Sequence, residues 1–198
     1  MLQNSFEVPS FITDEEIKTL LKFYSVLPKK LNSGNSKQAY TTGFPIENIT
    51  IKDFQTRIKN IFGECKIQVS MFLEEFDPWT VHSDYDKGDA SPYYAFLVPL
   101  DYDDKHTHTI IFNELCDQLD WKEKLIEEKE YNYSDKELKL LSHIDVDVLK
   151  KLTIDKVCKW QTGDMIAWHR KLLHCSDNFP LYGPKRKTAL VLFLNRDD

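Results

Sequence analysis

The sequence predicts a mainly β protein with α support, a β-sandwich or jelly roll standing behind an N-terminal helical pair. Three observations point there. Apolar residues recur at helical spacing in the first third of the chain, the period changes to two from residue 66, and short alternating segments then follow to the C-terminal end. At 198 residues and 41% hydrophobic content the chain can bury a real core, so residues 1–198 are expected to form one domain. Within it, 1–64 reads as helical support. Residues 65–198 read as a β core carrying a charged, partly helical insertion at about 113–156.

The first helix opens at "TDEE". Thr13 and Glu16 have the spacing of a capping box, and Asp14 and Glu15 suit the positive helix end. Ile17, Leu20, Leu21, Tyr24 and Leu27 then share a face until Pro28 stops the helix. "LNSGNSKQAYTTGFP" reads as a loop with a short edge strand. A second helix places Phe54, Ile58, Ile61 and Phe62 on one face and ends at Gly63.

In "KIQVSMFLEEF", Ile67, Val69, Met71 and Leu73 alternate with Lys66, Gln68, Ser70 and Phe72, the pattern of a strand. "PWTVHSDYDKGD", "YYAFLVPLD" and "HTHTIIF" follow as strands or strand ends. After the insertion, "KVCKW", "GDMIAW" and "RKTALVLFLN" resume the β pattern, with Gly163 and Asp164 forming a turn.

The net charge of −6 argues against a general nucleic-acid binder, whose affinity rests on phosphate neutralisation. "PKRK" at 184–187 is the one dense basic stretch. Four scattered cysteines without a C-x-x-C pair, no secretory h-region and no apolar run of membrane length predict a reduced, cytoplasmic protein without a membrane span.

The chemistry concentrates in "HSD". Successive strand side chains point to opposite faces, so His82 and Asp84 project the same way and can share one small target. On spacing alone, a strand-end histidine bonded to a turn aspartate is the commoner arrangement, by roughly three to one. A third group changes the balance. "GDMIAWHRKLLHCSDNF" brings His169 and His174 shortly after a strand, and two imidazoles with one carboxylate are the facial set that holds Fe(II) with positions left open. A cation on the last strand would then meet the far end of a metal-bound dicarboxylate. Arg186, with its bidentate fork, is the first choice there and Lys187 the alternative, while Lys185 reads as a solvated charge.

Other polar residues read as structural. His106 and His108 suit a strand edge, Asp86 and Asp89 a turn, and the run Asp117–Glu130 a solvated helix face. Trp79, Trp168 and Phe179 are candidates for a pocket wall or for core packing. Cys175 is expected to be a packed residue, since no base is placed to activate it.

The order His82-x-Asp84, "PLD" at 99–101, Thr109 with Phe112, Trp160 with Gly163-Asp164, His174 and Arg186-x-Thr188 resembles the Fe(II)/2-oxoglutarate-dependent oxygenases over roughly residues 65–195. "HSDYDKGD" and "RKTALVLFLN" are loosely similar to the prolyl-hydroxylase branch. The resemblance implies a double-stranded β-helix, with Fe(II), 2-oxoglutarate and O2 as cofactor and cosubstrates. It implies His82, Asp84 and His174 as iron ligands and Arg186 as the partner of the distal carboxylate. Thr188 would help Arg186, Lys187 is the competing cation, and Gln68, Tyr93 and Tyr94 are candidates for a further cosubstrate contact. The implied reaction is hydroxylation of a peptide or small molecule, with release of succinate and CO2. Two rival expectations stand beside it: a cupin-like metal enzyme without 2-oxoglutarate, and a metal-free binding module. Oligomeric state is not legible.

Overall fold

The computed structural model describes residues 4–33, 37–42, 51–85, 91–102, 107–116 and 133–196, with the backbone alone over 31–33, 37–42 and 102. His106, Asp86, Asp89 and the run 117–130 lie outside the described residues. Helix α1 (Asp14–Val26) begins at its capping box: Thr13 Oγ1 accepts from the Glu16 amide at 3.3 Å, and Glu16 Oε2 accepts from the Thr13 amide at 2.8 Å. It buries Ile17, Leu20 and Tyr24, and α2 (Phe54–Phe62) buries Phe54, Ile58 and Phe62 before Gly63 turns the chain at φ +79°. Arg57 of α2 ties the two helices together, its guanidinium lying 2.7 Å from Glu16 of the α1 cap.

The strands, in chain order, are β1 (Ser5–Val8), β2 (Lys30–Ser33), β3 (Lys37–Thr42), β4 (Cys65–Glu75), β5 (Pro92–Tyr102) and β6 (His108–Leu115). They continue as β7 (Ile154–Lys159), β8 (Met165–His169), β9 (Leu172–Ser176) and β10 (Lys187–Arg196). Among the described residues they form two antiparallel sheets, ordered β1-β8-β5-β10-β4-β3-β2 and β7-β6-β9. This is the jelly roll with α support that the sequence pattern predicts. Two details differ from expectation. "LNSGNSKQAYTT" contributes a hairpin, β2–β3, in place of one short edge strand. Ser5–Val8, read from sequence as preceding the first element, is a strand that pairs with β8.

Three apolar layers follow. The helices cover the outer face of the large sheet with Phe72, Phe96, Val98, Leu190 and Leu192. Between the sheets lie Leu97, Ile111, Trp160, Ile166, Trp168, Ala189 and Val191. The outer face of the small sheet is covered by α3 (Asp135–Leu140) and α4 (Val146–Leu149), through Leu140, Leu141, Leu149 and Leu152. So β10 is buried on both sides from Lys187 to Leu192, and β4 is buried or half-buried on both from Ser70 to Glu75. This corrects the alternation read for "KIQVSMFLEEF": Phe72 sits on the face read as polar, yet it is fully buried under α1.

Gly163 explains how the N-terminal segment is held. It has φ +85°, its carbonyl accepts from the Ile12 amide at 3.0 Å, and a Cβ there would lie 2.7 Å from the Ile12 oxygen. No helix among the described residues is long and apolar enough to cross a membrane.

Phe96 is fully buried, stacked on Phe62 at 5.7 Å and edge-on to Phe11 at 5.9 Å. Phe96→Ala is expected to cost about 3–5 kcal/mol, read as a lower urea midpoint with an unchanged slope.

Candidate metal centre

The segment after β4 returns alongside β9. The His82 amide donates to the His174 carbonyl at 3.0 Å, and the His174 amide donates to the His82 carbonyl at 2.9 Å. Two residues on, the Asp84 amide donates to the Arg170 carbonyl at 3.0 Å. Extended backbone from 82 to 84 therefore turns both side chains toward the space between the sheets, and His174 of β9 meets them there. The ligand atoms of His82, Asp84 and His174 all lie within 4.8 Å of one another. Asp84 carries Oδ1 3.9 Å from His82 Nε2 and Oδ2 3.5 Å from His174 Nε2.

The surroundings set the chemistry of these three groups. His82 Nδ1 donates to the Thr80 carbonyl at 2.8 Å and His174 Nδ1 to the Leu172 carbonyl at 3.1 Å, which leaves both Nε2 lone pairs facing Asp84. Burial pushes the His174 imidazole down to about 4, partly opposed by Asp84, so it is neutral at pH 7 as a metal ligand must be. Trp168 Nε1 donates to Asp84 Oδ2 at 2.9 Å and fixes the carboxylate. Two neutral imidazoles and one carboxylate fit a divalent transition metal with coordination positions left open.

Arg170 was not anticipated. Only 2% exposed, it donates to the Asp84 carbonyl at 2.9 and 3.2 Å, to Gln68 Oε1 at 2.5 Å and to Asn195 Oδ1 at 2.8 Å. It locks the aspartate's backbone to β4 and β10. Its partners are remote in the chain, so no local pattern could announce it.

The three groups line a cavity of about 360 Å³, walled also by Met71, Leu73, Leu97, Val191 and Phe193. Trp79 also lines it, and its Nε1 meets no hydrogen-bond partner among the described residues. Thr109 and Ser176 add hydroxyls to the wall, each already engaged: Thr109 accepts from Trp160 Nε1 at 2.8 Å, and Ser176 from the Trp79 amide at 2.6 Å.

Of the two cations expected on the last strand, Lys187 and not Arg186 is at the cavity. Lys187 lines the cavity, 1% exposed, with Glu75 beside it. Arg186 lies one residue earlier and so on the opposite face. It binds Asp101 at 2.6 Å and Glu74 at 3.3 Å, and Thr188, on that face too, lies 3.4 Å from it. Neither Arg186 nor Thr188 reaches the cavity.

His169 also points away from the centre, toward Tyr94 at 5.8 Å. Tyr94 packs in the helix-facing core and Tyr93 Oη donates to the Phe62 carbonyl, so neither tyrosine borders the cavity, and Gln68 serves Arg170. His108 bonds Asp177 at 2.8 Å, Phe179 is fully buried beside Lys187, and burial pushes the Cys175 thiol up, away from reactivity.

Trp168→Phe removes the donor that holds Asp84 and is expected to weaken Mn(II) binding by about 10–100-fold, measured calorimetrically. A second expectation concerns pH. The unfolded-chain imidazole titrates near about 6.5, whereas folded His174 takes a proton only near 4. The unfolded state therefore binds more protons between these values. The metal-free protein has this stability in full above about pH 6.5 and loses it as pH falls toward 4, as urea midpoints in chelator will record, and His174→Asn flattens the fall.

No family model matches the chain, and no curated protein matches its sequence. Solved structures do. The alpha-ketoglutarate-dependent carbocyclase SnoK of nogalamycin biosynthesis matches over 99% of this chain and 81% of its own, at 12% identity and a TM-score of 0.63. A 2OG-Fe(II) oxygenase family oxidoreductase from Burkholderia pseudomallei matches over 98% and 86%, at 10% identity and 0.62. A Pseudomonas putida prolyl-4-hydroxylase matches over 98% and 94%, at 8% identity and 0.56. The chain has the jelly-roll fold of the 2-oxoglutarate- and iron-dependent oxygenases.

Proposed function

We propose that this chain is an Fe(II)- and 2-oxoglutarate-dependent oxygenase, a hydroxylase of a small molecule or peptide. The observation that carries this reading is the convergence of His82, Asp84 and His174 on the cavity that Lys187 also lines. In this reading the three ligands hold iron, and Lys187 faces the distal carboxylate of 2-oxoglutarate. Bound iron, with 2-oxoglutarate and O2, supplies an oxidant able to attack a C–H bond, with succinate and CO2 as the cosubstrate's products. The chain's own part is positional. Trp168 and Arg170 hold Asp84, the two Nδ1 bonds aim the imidazoles, and Met71, Leu73, Val191 and Phe193 supply an apolar wall. Four buried cysteines, none in a disulfide, support a reducing cytoplasmic setting.

One observation favours a second reading, a metal enzyme without 2-oxoglutarate: Lys187 already has an anionic partner in Glu75. An anaerobic titration of the Fe(II)-loaded protein with 2-oxoglutarate separates the two. Wild type is expected to develop the visible metal-to-ligand charge-transfer band and Asp84→Ala to lose it. Lys187→Met should need about 10–100-fold more cosubstrate, the worth of a charge-assisted hydrogen bond, and Arg186→Ala should titrate like wild type. Bound iron with no band in wild type would leave the second reading standing, and no bound iron would sink both.

A further inference from the structure

The cation available to a dicarboxylate in this cavity is not unclaimed. Lys187 Nζ lies 3.2 Å from Glu75 Oε2. The two residues sit directly opposite on β10 and β4, both facing inward, at 1% and 5% exposure. Lys187 Nζ also lies over the rings of Trp160 at 4.3 Å and Phe179 at 5.2 Å, whose faces attract the ammonium. Neither partner can swing into solvent while the strands remain paired.

The charges facing Glu75 come from several elements. Lys187 and, at longer range, His82 favour its carboxylate, while Asp177, beyond β9, opposes it. Asp177 itself holds His108 of β6, and His143, between α3 and α4, feels both Asp177 and Lys187. Asp84 lines the same cavity as a metal ligand. Without a ligand, Lys187 and Glu75 offset each other. A second carboxylate arriving on Lys187 sets two anions against one ammonium between side chains that are themselves buried, and two carboxylates so placed share a proton.

We propose that Glu75 competes with the cosubstrate for Lys187, so that a dicarboxylate enters this cavity together with a proton held between its distal carboxylate and Glu75. The inference rests on the reading of the chain as a 2-oxoglutarate binder and adds to it a built-in opponent of that binding. Burial already raises the Glu75 pKa against the pull of Lys187, so the carboxyl is prepared for the proton. The sign follows. The ligand raises the pKa of the pair, protons are taken up on binding, and affinity falls by up to about tenfold per pH unit as pH rises above the free-state pKa.

The test is calorimetry on the full chain preloaded with Mn(II), near neutral pH, in buffers of different ionisation enthalpy. The ligands are 2-oxoglutarate and 2-oxovalerate, which shares the metal-binding end and lacks the distal carboxylate. Wild type is expected to take up about one proton with 2-oxoglutarate and about none with 2-oxovalerate. Glu75→Gln should lose that uptake and bind 2-oxoglutarate more tightly above neutral pH. Equal proton counts for the two ligands in wild type would overturn the proposal without reference to any variant. So would a Glu75→Gln protein that keeps the uptake or binds 2-oxoglutarate more weakly. If Mn(II)-loaded wild type binds 2-oxovalerate or nothing, and 2-oxoglutarate not at all, the functional reading falls as well.

Discussion

Two backbone hydrogen bonds between His82 and His174 are the constraint on which the centre depends. They make the segment after β4 a short antiparallel neighbour of β9, and that pairing converts a sequence separation of nearly half the chain into contact between ligand atoms. The imidazoles need no special rotamer to meet, because pleated backbone already turns them to the same side. The rest of the polar apparatus reinforces the pairing. Arg170 reaches from the β8–β9 turn to the Asp84 carbonyl, and its other bonds anchor it to β4 and β10. A buried guanidinium used in this way ties the aspartate to the large sheet, the most extensively packed part of the fold.

The same pleat decides which cation the cavity receives. With helices on one side of the large sheet and the small sheet on the other, β10 has no solvent face from Lys187 to Leu192. Each consecutive side chain must find a partner in one layer or the other. Lys187 falls between the sheets, while Arg186 and Thr188 fall toward the rim beside α1, where Glu74 and Asp101 meet the arginine. Burial of Lys187 is tolerable only because Glu75 is within reach, whereas Arg186 and Asp101 remain 39% exposed.

Much of this was legible in the sequence, and the failures have physical causes. The capping box at Thr13, the helical faces, the switch to period two and the Gly163 turn all follow from local rules, and each appears in the structure. His82, Asp84 and His174 converge because two of them obey strand parity and the third follows a recognisable strand. Parity could not be assigned for β10, since a strand buried on both faces shows no alternation to count from. For the same reason Phe72 was grouped with polar residues. Arg170 and Glu75 gave no signal because their meaning depends on partners brought in by the sheet register, which no local spacing encodes. The β2–β3 hairpin lacks the apolar pattern that marks a strand, and β1, though Phe6 and Val8 alternate with Ser5 and Glu7, is only 4 residues long.

The opposed pair Lys187 and Glu75 bears on assembly as well as on ligands. Strands buried on both faces are free to slip by one residue without exposing apolar surface, so hydrophobic pattern alone protects their register poorly. Here a slip of β10 that set Thr188 opposite Glu75 would turn Lys187 out of the space between the sheets and strand Glu75 there without a cation. An uncompensated buried charge costs about 3–5 kcal/mol. Neighbouring Arg186 and Glu74 would be misplaced in the same movement. The two adjacent ion pairs therefore oppose a slip in that direction, where Thr188 and Ala189 would stand opposite Glu75 and Glu74.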